Sequence, residues 1–135
     1  MIVGGGAGGS ADDAVELWAK ATARAFADAL ARGVQRKGRV VEQRLQAMAQ
    51  GWAPDAQVRG RGLIWGIEFG DATLAGRVSQ ACFERGLVIE TAGIDDQVLK
   101  LLPSLTIKED ELQHGLDIIQ TSLRVALNQD MRKAA

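Results

Sequence analysis

The composition of this chain excludes disulfides, histidine-rich sites, membrane spans and a strong long-range field. Cys82 is the only cysteine, so no internal disulfide can form and a reducing compartment is the expected setting. His114 is the only histidine, which excludes a His-rich metal site and any nucleophile relay that needs a second imidazole. Sixteen Lys plus Arg against seventeen Asp plus Glu leave a formal net charge of -1. That is too little to gather phosphates or an anionic surface, so neither nucleic acid nor membrane is an expected partner. The longest uncharged apolar runs, such as residues 63–67, fall far short of the roughly 20 residues a membrane-spanning helix requires. No basic segment followed by an apolar one and a cleavage site opens the chain, so we expect a cytoplasmic protein.

What is present suits one globular domain: 135 residues, 47% of them apolar, are enough for a real core. After a glycine-rich opening, Ser10 with Asp13 three places on reads as a capping box. Trp18, Ala21, Ala25, Phe26, Ala29 and Leu30 then recur at three- and four-residue steps, predicting an amphipathic helix that buries one face and runs to about Arg32. Gly33 interrupts the pattern. Val34, Val41, Leu45, Met48 and Trp52 resume it as a second helical segment, ending near Gly51 and Pro54.

Further along, Leu63, Trp65, Ile67 and Phe69 alternate with Ile64, Gly66 and Glu68, the two-residue period of a strand with one apolar face. Asp71 can cap a helix carrying Leu74, Val78, Ala81 and Cys82, with Gly86 placed to end it. Residues 87–91 and 98–102 read as two more strands, and the short turn between them makes an antiparallel hairpin. Thr106 and Glu109 suggest a capping box for a last helix with Leu112, Leu116, Ile119, Leu123 and Ala126 as its stripe. The expected fold is therefore α/β (α+β): a small two-layer sandwich whose three-stranded, largely antiparallel sheet is covered by helices.

Few residues invite chemistry. Gly4, Gly6 and Gly9 have G-x-G-x-x-G spacing, but a dinucleotide site needs a full strand before them and a second strand ending in an acid about 20 residues on. Neither is there, so a leader segment is the better account. His114 lies off the apolar stripe and is expected to face solvent. Cys82, on the apolar side of its helix, reads as a core residue rather than a nucleophile. The acidic run Glu109, Asp110, Glu111 suits the first turn of a helix through its dipole and needs no metal. Lys100 shares a strand face with Val98 and Leu102 and so presents a cation among apolar neighbours. Either it guards an edge strand against mispairing or it binds a ligand, and pattern alone leaves both open.

From Val58 the chain reads VRGRGLIWGIEF, then ACFERGLVIETAG, then VLKLLPSLTIKEDELQHGLDII. An RG-x-GL strand, a helix leading into a GL-[VIL] strand, and an LxPxLTI segment before an acid-capped helix resemble, in that order, the C-terminal small domain of class III, pyridoxal-phosphate-dependent aminotransferases. ERGLVIETAG and DELQHGLDII look most like the branch that makes L-2,4-diaminobutyrate for ectoine synthesis, and VQRKGRVVEQRL resembles the helix before that domain. The resemblance covers about residues 28–127, so we expect residues 1–27 to be a divergent leader and helix and 28–135 the small domain.

The resemblance implies amino transfer between amino acid and 2-oxo acid substrates in a homo-oligomer. It also implies that the Schiff-base lysine and the cofactor's phosphate cup lie in a large domain this chain does not supply. No catalytic, cofactor-binding or metal residue is then expected here, and the chain alone is expected to bind no cofactor and to be inactive. One substrate contact carries over. Many relatives place an arginine just before the LxPxLTI segment, where its fork holds the substrate carboxylate, and Lys100 stands at that position. Lysine keeps the charge but not the bidentate geometry. Arg59, Gly60 and Gly62 match the family motif as strand-entry and packing residues. Rival expectations are a non-catalytic interaction module on the same small domain and a nucleotide-binding domain led by the glycines.

Overall fold

The computed structural model describes residues 10–134, so the glycine motif at Gly4, Gly6 and Gly9 lies outside the described residues. The elements in chain order are α1 (Ala11–Trp52), β1 (Gln57–Arg61), β2 (Ile64–Glu68), α2 (Leu74–Glu84), β3 (Glu90–Ala92), β4 (Val98–Leu101) and α3 (Glu109–Ala134). The chain divides into two compact units, Met1–Gly33 and Val34–Ala135.

The first unit holds the opening of α1. Its start is the expected capping box with aspartate in the acidic role: Asp13 N–H donates to Ser10 Oγ at 3.1 Å and Ser10 N–H donates to Asp13 Oδ2 at 3.2 Å. Burial departs from expectation. Val15, Leu17, Trp18 and Phe26 are all 60% exposed or more, so the apolar face read from the periodicity is present but bare. Nor does Gly33 break the helix. A Cβ there would meet nothing within 4 Å, and glycine inside a helix costs only about 1 kcal/mol, which its neighbours offset.

The second unit is the expected two-layer arrangement with one more strand than predicted. Its sheet has four strands in the order β1-β2-β4-β3, each neighbour antiparallel. The missed strand is β1. It is an edge strand with only Val58 half-buried, so no apolar alternation announces it. Trp65, Ile67, Leu99 and Leu101 point to the helical layer and are buried. Ile64, Gly66, Glu68, Val98 and Lys100 lie on the open face. Val41, Leu45 and Met48 of α1, Val78 and Cys82 of α2, and Leu112, Leu116, Ile119 and Leu123 of α3 complete one core cluster. These are the stripes the three- and four-residue spacing predicted.

Two boundary shifts have plain causes. The strand expected over residues 87–91 narrows to β3 because its first half is spent on the end of α2. Gly86, at φ +85°, donates to Phe83 O and Leu87 N–H donates to Cys82 O, the paired bonds of a Schellman cap. Ile89 O accepts from the Ser79 hydroxyl at 2.7 Å and is drawn toward α2 instead of into the sheet. The predicted Thr106–Glu109 box does not form, because α3 begins at Glu109 and puts that glutamate in the first position rather than the third. Thr106 N–H and hydroxyl meet Ser104 Oγ instead.

Side chains then tie the layers. Arg44 of α1 donates to Gln113 Oε1 at 2.8 Å and Asp117 Oδ1 at 2.6 Å on α3. Arg77 of α2 bridges Asp71 at 2.8 Å and Asp130 at 2.7 Å, joining the start of one helix to the end of another.

Candidate functional site

Lys100 does not guard an edge. It sits on β4, an inner strand, with Gly66 of β2 opposite it on one side and Glu90 of β3 on the other. Edge protection is therefore excluded as its role. Gly66 contributes no side chain to the open face, and any Cβ there would meet Val98 Cγ1 at 3.0 Å. The ammonium reaches sideways to Glu90, with Nζ 3.1 Å from Oε2, and about a third of the side chain stays exposed.

Lys100 lines a cavity of about 420 Å³ that opens between the end of β4, the approach to β3 and the first half of α3. Leu87, Leu102, Pro103, Ile107 and Leu116 give it apolar walls, while Glu90 and Glu111 add two carboxylates. Lys100 is the one cation among the lining residues. An apolar hollow with a few converging polar groups is the usual form of a small-molecule site. Lys100 borders this one from the open face of the sheet, where its ammonium pairs with Glu90.

The remaining sequence candidates are not gathered here. His114 is exposed on α3, as expected. Cys82 is fully buried, and burial pushes its thiol above the ordinary range, which suits a core residue and not a nucleophile. Glu109, Asp110 and Glu111 occupy the first turn of α3, and only Glu111 reaches the cavity wall. Among the described residues no cluster of His, Cys, Asp and Glu could hold a metal, and no helix is long and apolar enough to cross a membrane. Asp71 does not cap α2 as expected: Thr73 holds the cap position, and the Asp71 carboxylate, held below the ordinary range by Thr73 N–H and hydroxyl and by Arg77, closes the turn before it.

Sequence reasoning missed two groups at this site. Glu90 could have been found by counting outward from the turn of the predicted hairpin, since the pairing that sets Thr91 against Leu99 also sets Glu90 against Lys100. Glu111 left no signal beyond its place in an acidic turn. The cavity's charges do not suit pyridoxal phosphate. A phosphate dianion brought here would face Glu90 and Glu111, and the lone lysine is already engaged by a carboxylate.

Comparison with known proteins adds an independent observation. The family model for class III aminotransferases matches residues 14–123. The diaminobutyrate–2-oxoglutarate transaminase of Bordetella parapertussis is 46% identical over 110 residues, which is 79% of this chain and 25% of that one. The enzyme of the same name from Halomonas elongata is 43% identical over 105 residues, 75% of this chain and 25% of that one. Among solved structures, an N-acetylornithine aminotransferase from Stenotrophomonas maltophilia superposes with a TM-score of 0.68 at 25% identity, over 74% of this chain and 28% of that one. A phospholyase from Arthrobacter, solved with phosphoethanolamine, gives 0.66 at 28% identity, over 73% of this chain and 25% of that one. The chain spans about a quarter of the length of the curated relatives it matches.

Proposed function

The chain belongs to the class III aminotransferases, and we propose that it is the C-terminal small domain of a transaminase that carries an amino group from L-glutamate to L-aspartate 4-semialdehyde, giving L-2,4-diaminobutyrate and 2-oxoglutarate. The observation that carries this reading is the likeness to several diaminobutyrate–2-oxoglutarate transaminases, within a family match that spans all four strands and the cavity beside Lys100. In this reading residues 28–135 make the small domain and residues 1–27 a leader and helix before it, of which the family match takes in residues 14–27. The product serves ectoine biosynthesis in the cytoplasm, and the working enzyme is a homo-oligomer.

Amino-transfer chemistry of this family is supplied by pyridoxal phosphate when bound, and we assign that group to the remainder of the enzyme. The task left to this chain is orientation. Lys100, set in an apolar hollow, holds a substrate carboxylate by a charge-assisted hydrogen bond. On this reading the chain alone is inactive.

The test mixes purified chain with pyridoxal phosphate and L-glutamate, then adds the separately expressed N-terminal three-quarters of a relative such as the Bordetella parapertussis enzyme. The chain alone should form neither a lysine-linked chromophore nor 2-oxoglutarate, and the mixture should make diaminobutyrate. Turnover by the chain alone would overturn the assignment of the cofactor to another part.

A second reading is a non-catalytic interaction module; the bare apolar residues Val15, Leu17, Trp18 and Phe26 on the opening of α1 are its partner surface, whereas in the first reading they are a face left uncovered without the rest of the enzyme. Light scattering separates the two readings. A self-contained module should be monodisperse, whereas a domain lacking its enzyme should associate.

A further inference from the structure

Lys37 is 8% exposed, which makes it the one charged side chain buried among the described residues. Its ammonium donates to two backbone carbonyls, Leu105 O at 2.8 Å and Ile107 O at 2.9 Å, and forms no ion pair within the described residues. Taking an ammonium out of water without a carboxylate partner is costly, and an apolar side chain of similar length would serve packing at least as well. The place is also unfavourable electrostatically. The carbonyls lie just ahead of the N-terminus of α3, the positive end of that helix. What the ammonium supplies and a methionine could not is direction, since it holds two carbonyls of one turn at once.

That turn is the link between β4 and α3. Ser104 O accepts from Ile107 N–H at 3.0 Å, and the loop's Leu102, Pro103 and Ile107 form a wall of the cavity that Lys100 lines. The next residue of α1 grips the same end of the sheet. A Cβ on Gly38 would stand 2.1 Å from Gly62 O, so the helix backbone lies directly on the β1–β2 turn. Residues 37 and 38 thus seat two loops against one turn of α1.

We propose that Lys37 is a positioning residue, whose buried ammonium pins the carbonyls of Leu105 and Ile107 and so fixes the loop that walls the cavity beside Lys100. The inference goes beyond the transaminase reading and depends only on the geometry of that cavity.

The test is amide hydrogen exchange on the full chain. Lys37→Met should speed exchange of the Thr106 and Ile107 amides, which are bonded to Ser104, by about tenfold or more, while Leu99, Leu101, Leu116 and Ile119 keep their protection. Lys37→Arg, which retains the donors, should restore the slow exchange. Unchanged loop exchange in Lys37→Met, or a uniform rise across the unit, would overturn the proposal. Should that variant fail to fold, NMR of the unmodified chain decides. Through-hydrogen-bond couplings from the Lys37 ammonium to the carbonyl carbons of residues 105 and 107 are expected, and an unrestrained, fast-exchanging ammonium would sink it. Lys100→Ala, by contrast, should leave loop exchange unaltered whatever it does to carboxylate binding, so a failure of the transaminase reading and a failure of this one look different.

Discussion

Lys100 and Glu90 face each other across the β3–β4 pair, with Nζ 3.1 Å from Oε2, so the cation that we propose for a substrate carboxylate already has a carboxylate beside it. Glu90 is 72% exposed, and an exposed pair of this kind contributes about 1 kcal/mol or less to stability. Its weight lies in competition. In a transaminase carrying this domain, Glu90→Gln should lower KM for the carboxylate substrate, and Lys100→Ala should raise it about tenfold or more. Steady-state kinetics on the two variants checks both directions. An unchanged KM in Lys100→Ala would remove Lys100 from the site.

Two glycines in helices should respond in opposite senses to alanine. At Gly38 the added Cβ would stand 2.1 Å from Gly62 O and 3.0 Å from Gly62 C, and since both partners are backbone the helix itself must shift. A loss of about 2 kcal/mol or more is expected. Gly76, exposed inside α2 with nothing within 4 Å, should gain about 0.5–1 kcal/mol from the smaller conformational entropy of alanine in the unfolded chain. Urea unfolding of the two variants measures the pair.

These two glycines also mark what the sequence could and could not disclose. Helix stripes such as Val41, Leu45 and Met48 and the alternation of Trp65, Ile67 and Phe69 were legible because one face is buried and the period reports it. The hairpin of β3 and β4 was legible from its β-branched residues and short turn, although β3 begins at Glu90 and not at Leu87, and with it Lys100 as the odd charge on its strand. β1 was not, because an exposed edge strand has no periodic apolar face. The ion pair of Lys100 and the grip of Lys37 on residues 105 and 107 depend on register and on a contact between residues some seventy apart, which no local pattern encodes. Nor does periodicity say whether a stripe is covered: Trp18 and Phe26 recur as a core face should, yet they are bare.

The entry to α2 should give stability a modest acid dependence. The Asp71 carboxylate is held below its ordinary range, first by the Thr73 N–H, then by the Thr73 hydroxyl and Arg77, and its slight burial opposes them. A depressed carboxylate stabilises the fold at pH values above the unfolded-state value of about 3.9, and that contribution is lost as pH falls through the lower folded-state value. Asp71→Asn should therefore be less stable than the parent at neutral pH, with the difference shrinking below about pH 4. Urea midpoints measured from pH 6 to pH 2 test this, and a difference that does not depend on pH would show that the carboxylate's charge is not what matters.

Ser122 offers a gain. Its hydroxyl is fully buried on α3 and makes no well-formed hydrogen bond among the described residues, the weakly polar Cys82 thiol being its neighbour. An unsatisfied buried hydroxyl is destabilising, and alanine is the better helix former, so Ser122→Ala should raise stability by about 1 kcal/mol. A loss in the unfolding free energy of that variant would mean the hydroxyl is bonded in solution.

Cys82 provides a probe of the same core. Its side chain is fully buried, and burial, the largest influence on it, pushes the thiol above its ordinary range. A neutral thiol shut away from reagent should react with an aromatic disulfide only through opening of the unit, so labelling in the native chain should be slower than in urea by a factor of about a thousand or more. The linkage runs opposite to that of Asp71. The unfolded thiol ionises near pH 8.5 while the folded one stays protonated, so the folded chain binds the extra proton and stability falls as pH rises beyond that value. Cys82→Ala should start lower, because a core side chain has been trimmed, yet lose less stability between pH 8 and pH 10 than the parent does. Fast native labelling, or equal slopes for the two chains, would show that the α2–α3 contact opens far more readily than its packing indicates.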